Sequence, residues 1–261
     1  MLSENVSEYL TQLEYAKKDR DLKWKKLIED SEKPYSDSER KKILIIGDSL
    51  SEDLFVSSAI STKLQEKIDI RRLTFDDRCA LFIATGIEQT NHDDGKCSDA
   101  VNVYLKSDLF HSADLIIIAA NWVENYKYFE QLLNHRLLEN KDTLIYLTQA
   151  FSDIRSIIYS IDSIENNSES LGKLIFESKR SVLIKSNEAV KSIARKSGIQ
   201  TIEGFDAFCD SLNERCVLFD EQKRPYIWDQ NHLTYSGALF FEKWFSKSLI
   251  AAIEKIDNDE R

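Results

Sequence analysis

Chain breakers are scarce in this sequence. It has 2 prolines and 7 glycines, which argues against loop-rich, collagen-like or short-repeat architectures. Positive charge is in deficit: 35 basic residues face 45 acidic ones, for a net charge of -10 and a pI near 5.1. Phosphate backbones are bound by basic surfaces, so nucleic acid is not an expected partner. A neutral or cationic substrate suits the charge better. Long apolar runs are missing too. The longest, Leu115 to Ala120, has the length of a buried strand and not of a membrane span. The polar start, Met1 to Asn5, lacks the apolar core of a signal peptide. The chain as given is therefore expected to be soluble, either whole or as a piece of a longer secreted or membrane-anchored protein. Its 4 cysteines, Cys79, Cys97, Cys209 and Cys216, contain no Cys-x-x-Cys pair, so they do not read as a zinc site. Of the three possible pairings, proximity favours Cys79–Cys97 with Cys209–Cys216. Four reduced thiols of a cytosolic protein fit the composition equally well.

What is present is enough apolar material, 42% of 261 residues, for one sizeable core. Residues 1–38 differ from the rest. Val6, Tyr9, Leu10, Leu13, Ala16, Trp24, Leu27 and Ile28 recur at rough helical spacing among many charges, predicting a helix from about 5 to 30 that packs on the main domain. Pro34, Ser36 and Ser38 mark a linker. The expected organisation is an extension, 1–38, followed by a catalytic domain, 39–261. From residue 41 onward, strand and helix patterns alternate. Ile43 to Ile46, Asp114 to Ala120 and Thr143 to Leu147 are continuous apolar runs of the kind buried parallel strands show. Further strands are expected at Ile68–Phe75, Ile199–Ile202 and Cys216–Phe219. Helices are expected at Glu52–Lys67, Trp122–Leu138, Ser181–Lys196 (stopped at Gly198) and Tyr235–Ile256. Residues 76–98 read as irregular, and 154–170 carry no clear pattern. The fold class is α/β, a three-layer sandwich with a central parallel sheet flanked by helices. In such sheets ligands sit beyond the carboxyl ends of the strands.

Three segments at those positions hold reactive groups. Gly47-Asp48-Ser49-Leu50 follows the first strand, which sets Ser49 at the start of a helix whose N–H groups and dipole face a developing oxyanion. Asp229-Gln230-Asn231-His232 precedes the last helix, at a spacing that lets the carboxylate hold the imidazole as a proton acceptor for serine. Ala120-Asn121-Trp122 ends the apolar strand after the second, and the Asn121 amide is placed to donate to the same oxyanion. Taken singly, each has a plainer explanation: a helix-capping serine, a surface turn, an asparagine closing a strand. Their order along the chain makes the case. Trp122 and Trp228 adjoin proposed site residues and are candidate sugar-stacking surfaces, with core packing the expected role for at least one. His92 has no second histidine at ligand spacing, so no metal is expected; His111 and His135 read as helix or surface residues.

This order resembles the SGNH hydrolases, also called GDSL-like esterases. Their first block is matched by Gly47 to Leu50 and their last by Asp229 and His232. The third block keeps Asn121 but has lost its flanking Gly and Asp. The second block, which normally supplies a glycine N–H to the oxyanion hole, has no clean counterpart in Thr74-Phe75-Asp76-Asp77-Arg78; the N–H of Asp77 or Arg78 is the candidate substitute. The segments Phe75 to Cys79, Ala120 to Trp122, Cys209 to Cys216 and Trp228 to Ala238 are similar to the SGNH domain fused to membrane-bound acyltransferases of family three, over about residues 40 to 250. That resemblance implies a flavodoxin-like SGNH fold and a serine nucleophile, Ser49, served by His232 and Asp229. It implies an oxyanion hole including the Ser49 N–H and Asn121, and no cofactor. It implies acetyl transfer from an acetyl donor to a polysaccharide acceptor such as lipopolysaccharide O-antigen. It further implies a membrane acyltransferase domain preceding the chain, a periplasmic location at the bacterial inner membrane, and disulfides Cys79–Cys97 and Cys209–Cys216. The competing expectations are an inactive carbohydrate-binding module and a stand-alone cytosolic esterase.

Overall fold

The computed structural model describes residues 3–74, 106–121, 141–149, 151–164 and 168–259. Five strands form one sheet: β1 (Lys41–Gly47), β2 (Ile68–Thr74), β3 (Leu115–Ala119), β4 (Asp142–Leu147) and β5 (Gln200–Glu203). Their order is β2-β1-β3-β4-β5, and every neighbouring pair is parallel. Alternate residues of the apolar runs feed two separate cores. Ile43, Ile45, Leu115, Ile117, Leu144 and Tyr146 face one side. Leu44, Ile116, Ile118, Ile145 and Leu147 face the other. Period-two alternation with both faces apolar is what makes these strands continuous hydrophobic runs.

Helices cover both faces. On the first lie α1 (Glu4–Ile28), α2 (Ser49–Ala59), α3 (Thr62–Gln65), α5 (Ile154–Ser160), α6 (Ser168–Glu177) and α8 (Tyr235–Asp259), which contribute Leu13, Leu54, Leu64, Ile158, Ile175 and Phe241 to the larger core. On the second lie α4 (Asp108–Ser112) and α7 (Ser181–Lys196), through Phe110 and Val190. This is the expected three-layer α/β sandwich with an N-terminal helix.

Several boundaries differ from the sequence expectation. The helix read as Glu52–Lys67 begins at Ser49 and breaks after Ala59, because the Ser61 side chain caps a separate short helix. The stretch 154–170 resolves into α5, a 3-10 turn at Ile161–Ser163 and the start of α6. Beyond the sheet, β6 (Cys209–Asp210) and β7 (Arg215–Cys216) pair antiparallel, tied by a Cys209–Cys216 disulfide. Of the strand expected at Cys216–Phe219, only Cys216 lies in this hairpin, and Phe219 makes an isolated bridge to Pro225. The terminus of α7 agrees: Gly198 takes a φ of 72°, the left-handed conformation that lets the chain leave a helix. The helix expected at Trp122–Leu138, the irregular stretch 76–98 and the Cys79–Cys97 pairing lie outside the described residues.

The extension is built into the body. Val6, Tyr9, Leu13 and Trp24 of α1 are buried in the larger core, and Ser3 caps the helix through the Val6 N–H. Among the described residues no helix is long and apolar enough to cross a membrane.

Candidate active site

Position begins with Gly47, the last residue of β1. It lies opposite Ala119 of β3, and a Cβ there would stand 1.7 Å from the Ala119 carbonyl oxygen. Only glycine permits that approach. Ser49 and Asn121 each stand two residues past this pair, so both emerge at the carboxyl edge of adjacent strands. Asp48 joins the two. One carboxylate oxygen accepts from the Leu50 N–H at 2.9 Å, and the other accepts from the Asn121 N–H at 2.7 Å. Asp48 is therefore the N-cap of α2 and Ser49 its first residue. The reading of Ser49 as a capping serine fails for that reason: its hydroxyl is engaged elsewhere.

That engagement is with the loop before α8. Ser49 is exposed, and its Oγ lies 2.7 Å from His232 Nε2. His232 Nδ1 lies 2.7 Å from Asp229 Oδ2. A carboxylate oxygen only accepts, so Nδ1 carries the proton and Nε2 is left to accept from the serine. The other Asp229 oxygen accepts the N–H groups of Asn231 at 3.0 Å and His232 at 2.9 Å, fixing the carboxylate against its own loop. The loop is closed by a bridge between Ile227 and Leu233 and by the Trp228 N–H donating to the His232 carbonyl at 3.0 Å. From outside it is held by the Gln149 amide, which donates to the Asn231 carbonyl, and by the Ile154 N–H on the Asp229 carbonyl. Gly237, where a Cβ would meet the Tyr226 carbonyl oxygen at 1.8 Å, lets α8 start close against this loop.

The electrostatics favour an imidazole that readily takes a proton. Burial works against a charged His232, but its hydrogen bond to Asp229 and the charges of Asp53 and Asp229 outweigh that, so its pKa lies above the ordinary value of 6.5. Burial likewise opposes an ionised Asp229, yet the imidazole and two backbone N–H groups hold it below the usual carboxylate range. Asp53, on α2 one turn beyond Ser49, is fully buried. Burial pushes its carboxyl up to about 7, against the pull of His232, Arg20 and the Leu233 N–H.

The structure thus brings together Ser49, His232 and Asp229, with Asn121 on the same sheet edge. Trp228 stacks on the His232 ring, with centroids 5.6 Å apart, while Lys17 and Arg20 of α1 lie 4.9 Å and 5.5 Å from its centroid. Trp122, the candidate donors Asp77 and Arg78, and His92 and His135 lie outside the described residues. His111 is an exposed residue of α4. Among the described residues no cluster of three or more His, Cys, Asp or Glu is arranged to hold a metal. Asp48, Asp53 and Arg20 were not singled out in the sequence. Asp48 had a signal, being inside Gly-Asp-Ser; Asp53 had a weaker one, being one helical turn after Ser49 and so on its face.

A family model described as an SGNH domain fused to AT3 domains matches residues 16–247, a stretch that begins inside α1 and ends inside α8. Among solved structures, the periplasmic domain of a lipopolysaccharide acetyltransferase from Salmonella ser. Paratyphi A superposes with a TM-score of 0.59 at 14% identity, over 82% of this chain and 85% of that one. A carbohydrate acetylesterase from Sinorhizobium meliloti gives 0.46 at 12% identity, over 81% and 99%. An aryl esterase from M. smegmatis gives 0.46 at 13%, also over 81% and 99%. No curated protein matches the chain.

Proposed function

This chain belongs to the family of SGNH domains fused to AT3 domains, and from that premise we propose that it moves an acetyl group onto a hydroxyl of a bacterial surface polysaccharide, such as lipopolysaccharide O-antigen, through an acetyl-Ser49 intermediate. As a family member it is an SGNH-type hydrolase or acyltransferase. The observation that carries the finer reading is the unbroken chain Ser49–His232–Asp229, with both links at 2.7 Å and the serine open to solvent.

The chemistry follows from that chain. His232 Nε2 takes the hydroxyl proton as Ser49 Oγ attacks the acetyl carbonyl of the donor. The oxyanion is received by the Ser49 N–H, at the first turn of α2, and by Asn121. As the tetrahedral intermediate collapses, the donor's oxygen leaves and takes the proton back from His232. An acceptor hydroxyl then gives its proton to His232 and attacks acetyl-Ser49, and the proton returns to Ser49 Oγ. Water in place of the sugar gives hydrolysis, so exclusion of water and binding of the acceptor decide between transfer and esterase activity. Trp228, stacked on His232, is the candidate sugar platform in the described part of the site, with Trp122 as its proposed companion. The AT3 fusion of the family supports a membrane acyltransferase domain as partner and a periplasmic setting, and a Cys209–Cys216 disulfide suits that oxidising compartment. We assign residues 1–38 as the segment joining the two domains.

Ser49→Ala is expected to abolish acetyl release from a chromogenic acetate ester, and labelling by a fluorophosphonate, while circular dichroism stays unchanged. Wild-type turnover in that variant would remove Ser49 as nucleophile. Asn121→Ala is expected to cost about ten- to a thousand-fold in kcat, the range for one oxyanion donor. A loss smaller than about two-fold would take Asn121 out of the oxyanion hole.

A further inference from the structure

We propose that Arg20 of the N-terminal helix and Asp53 of α2 are positioning residues for the general base: together they clamp the main chain of Leu233 and so hold His232 at hydrogen-bonding distance from Ser49. The proposal rests on the reading of Ser49 and His232 as nucleophile and base.

The geometry is specific. Leu233 follows His232 directly, and both of its backbone polar groups are taken. Its N–H donates to Asp53 Oδ2 at 3.0 Å, and its carbonyl accepts from Arg20 Nε at 3.0 Å. The two side chains also face each other, with the Arg20 guanidinium 3.6 Å from Asp53 Oδ1. Asp53 Oδ1 has no hydrogen bond among the described residues, and the charges of His232 and Arg20 balance it. Arg20 is set in turn by the Trp24 ring at 4.6 Å and the Trp228 ring at 5.5 Å. Glu52 lies 4.0 Å from the guanidinium.

Ser49 and Asp53 sit one turn apart on the same helix, α2. Hence one rigid element carries the nucleophile and also the group that grips the base's loop, and the Ser49–His232 distance is set by a closed ring of contacts within a single helix and one loop. A buried, incompletely bonded carboxylate is costly, and an apolar residue would fill the site more stably. The charge has a use here: Asp53 acts on His232 alongside Asp229 and favours the imidazolium that forms as Ser49 attacks. The groups facing Asp53 are Arg20 from α1, His232 and Asp229 from the loop, and Tyr146 from β4.

The test uses Asp53→Asn, Arg20→Gln and Arg20→Lys in the full chain. Two readouts need no activity: hydrogen exchange of the Leu233 amide, and the imidazole titration of His232 followed by nitrogen NMR. Loss of Leu233 protection is expected in Asp53→Asn and Arg20→Gln, with the His232 midpoint moving to lower pH in Asp53→Asn. For hydrolysis of the chromogenic acetate ester, kcat is expected to fall about ten- to a hundred-fold with KM held within about two-fold, as for misplaced reacting groups. Arg20→Lys should recover part of the loss, since an ammonium still faces Asp53. The proposal is overturned if folded Asp53→Asn keeps the wild-type His232 midpoint and kcat. Should Asp53→Asn fail to fold, Arg20→Gln decides: wild-type kcat and Leu233 protection there also overturn it. Failure of the function reading is distinguishable, because wild-type protein would then neither turn over nor take the fluorophosphonate while the two NMR readouts still report on the clamp.

Discussion

Asp48 shows how a residue beside the proposed reacting groups can position them. Its carboxylate spans two strand ends, capping α2 through Leu50 and anchoring the Asn121 main chain. The proposed nucleophile's helix and the proposed oxyanion donor are therefore registered on one side chain that is itself buried. Asp48→Asn keeps one acceptor but sets an amide N–H against a backbone N–H. A stability loss of about 1–3 kcal/mol is expected, the cost of breaking a buried hydrogen bond to a charged group. Turnover should fall with it, because Asn121 is no longer tied to the Ser49 turn. Urea unfolding midpoints together with kcat on the acetate ester check both; an unchanged midpoint would mean that the Asp48 bonds are not holding the edge. That Ser49, Asp229 and His232, the heart of the proposed site, meet in space was legible because short local motifs carry them and strand order predicts where they meet. Asp53 and Arg20 were not, because their meaning lies in contacts to Leu233 across 180 and 213 positions of sequence.

At the scale of elements, the parallel strands were legible where burial on both faces leaves an uninterrupted apolar run, as in β1, β3 and β4. The β6–β7 hairpin was not, because its two-residue strands are held by a disulfide and carry no periodic pattern. Helix α1 was half legible. Its spacing predicts a helix that packs on the main domain, but spacing alone does not reveal that Val6, Tyr9, Leu13 and Trp24 belong to the same core as the sheet. The segment we assign as the joining one is thus anchored in the core of the domain it joins. Leu13 is 1% exposed, so Leu13→Ala is expected to cost about 2–5 kcal/mol, as transfer energy plus a cavity. Deleting residues 1–38 removes all four anchors and is expected to leave a chain without cooperative thermal unfolding. A truncated protein that melts cooperatively near the wild-type temperature would show that α1 merely rests on the surface.

For the molecule as a whole, the proposed site sets stability against activity along the pH axis. Burial pushes the Asp53 carboxyl up to about 7 in the folded protein, from an ordinary value of 3.8. Between those values the native state holds a proton that the unfolded chain has released, so stability falls as pH rises through that window. His232, raised above 6.5, adds in the same direction: its contribution is complete below 6.5 and is lost as pH climbs through its folded value. Asp229, held below 3.8, works the other way, and its contribution is lost only as pH drops through that low value. The net charge of -10 adds self-repulsion that grows as further groups lose protons. Tm is therefore expected to be higher at about pH 5 than at about pH 8, and Asp53→Asn should flatten that slope by removing a buried carboxyl that loses its proton in that range. Activity runs opposite, because a general base must be neutral: kcat/KM should rise with pH through a midpoint above 6.5. Differential scanning calorimetry and pH–rate profiles on the same preparations test the pairing. If Tm rises toward alkaline pH, or if kcat/KM peaks on the acid side, the assigned protonation states of Asp53 and His232 are wrong. If both trends appear, the buried carboxylate beside the base costs the fold stability in the pH range where the base is active, which is the trade expected of a charge kept for catalysis.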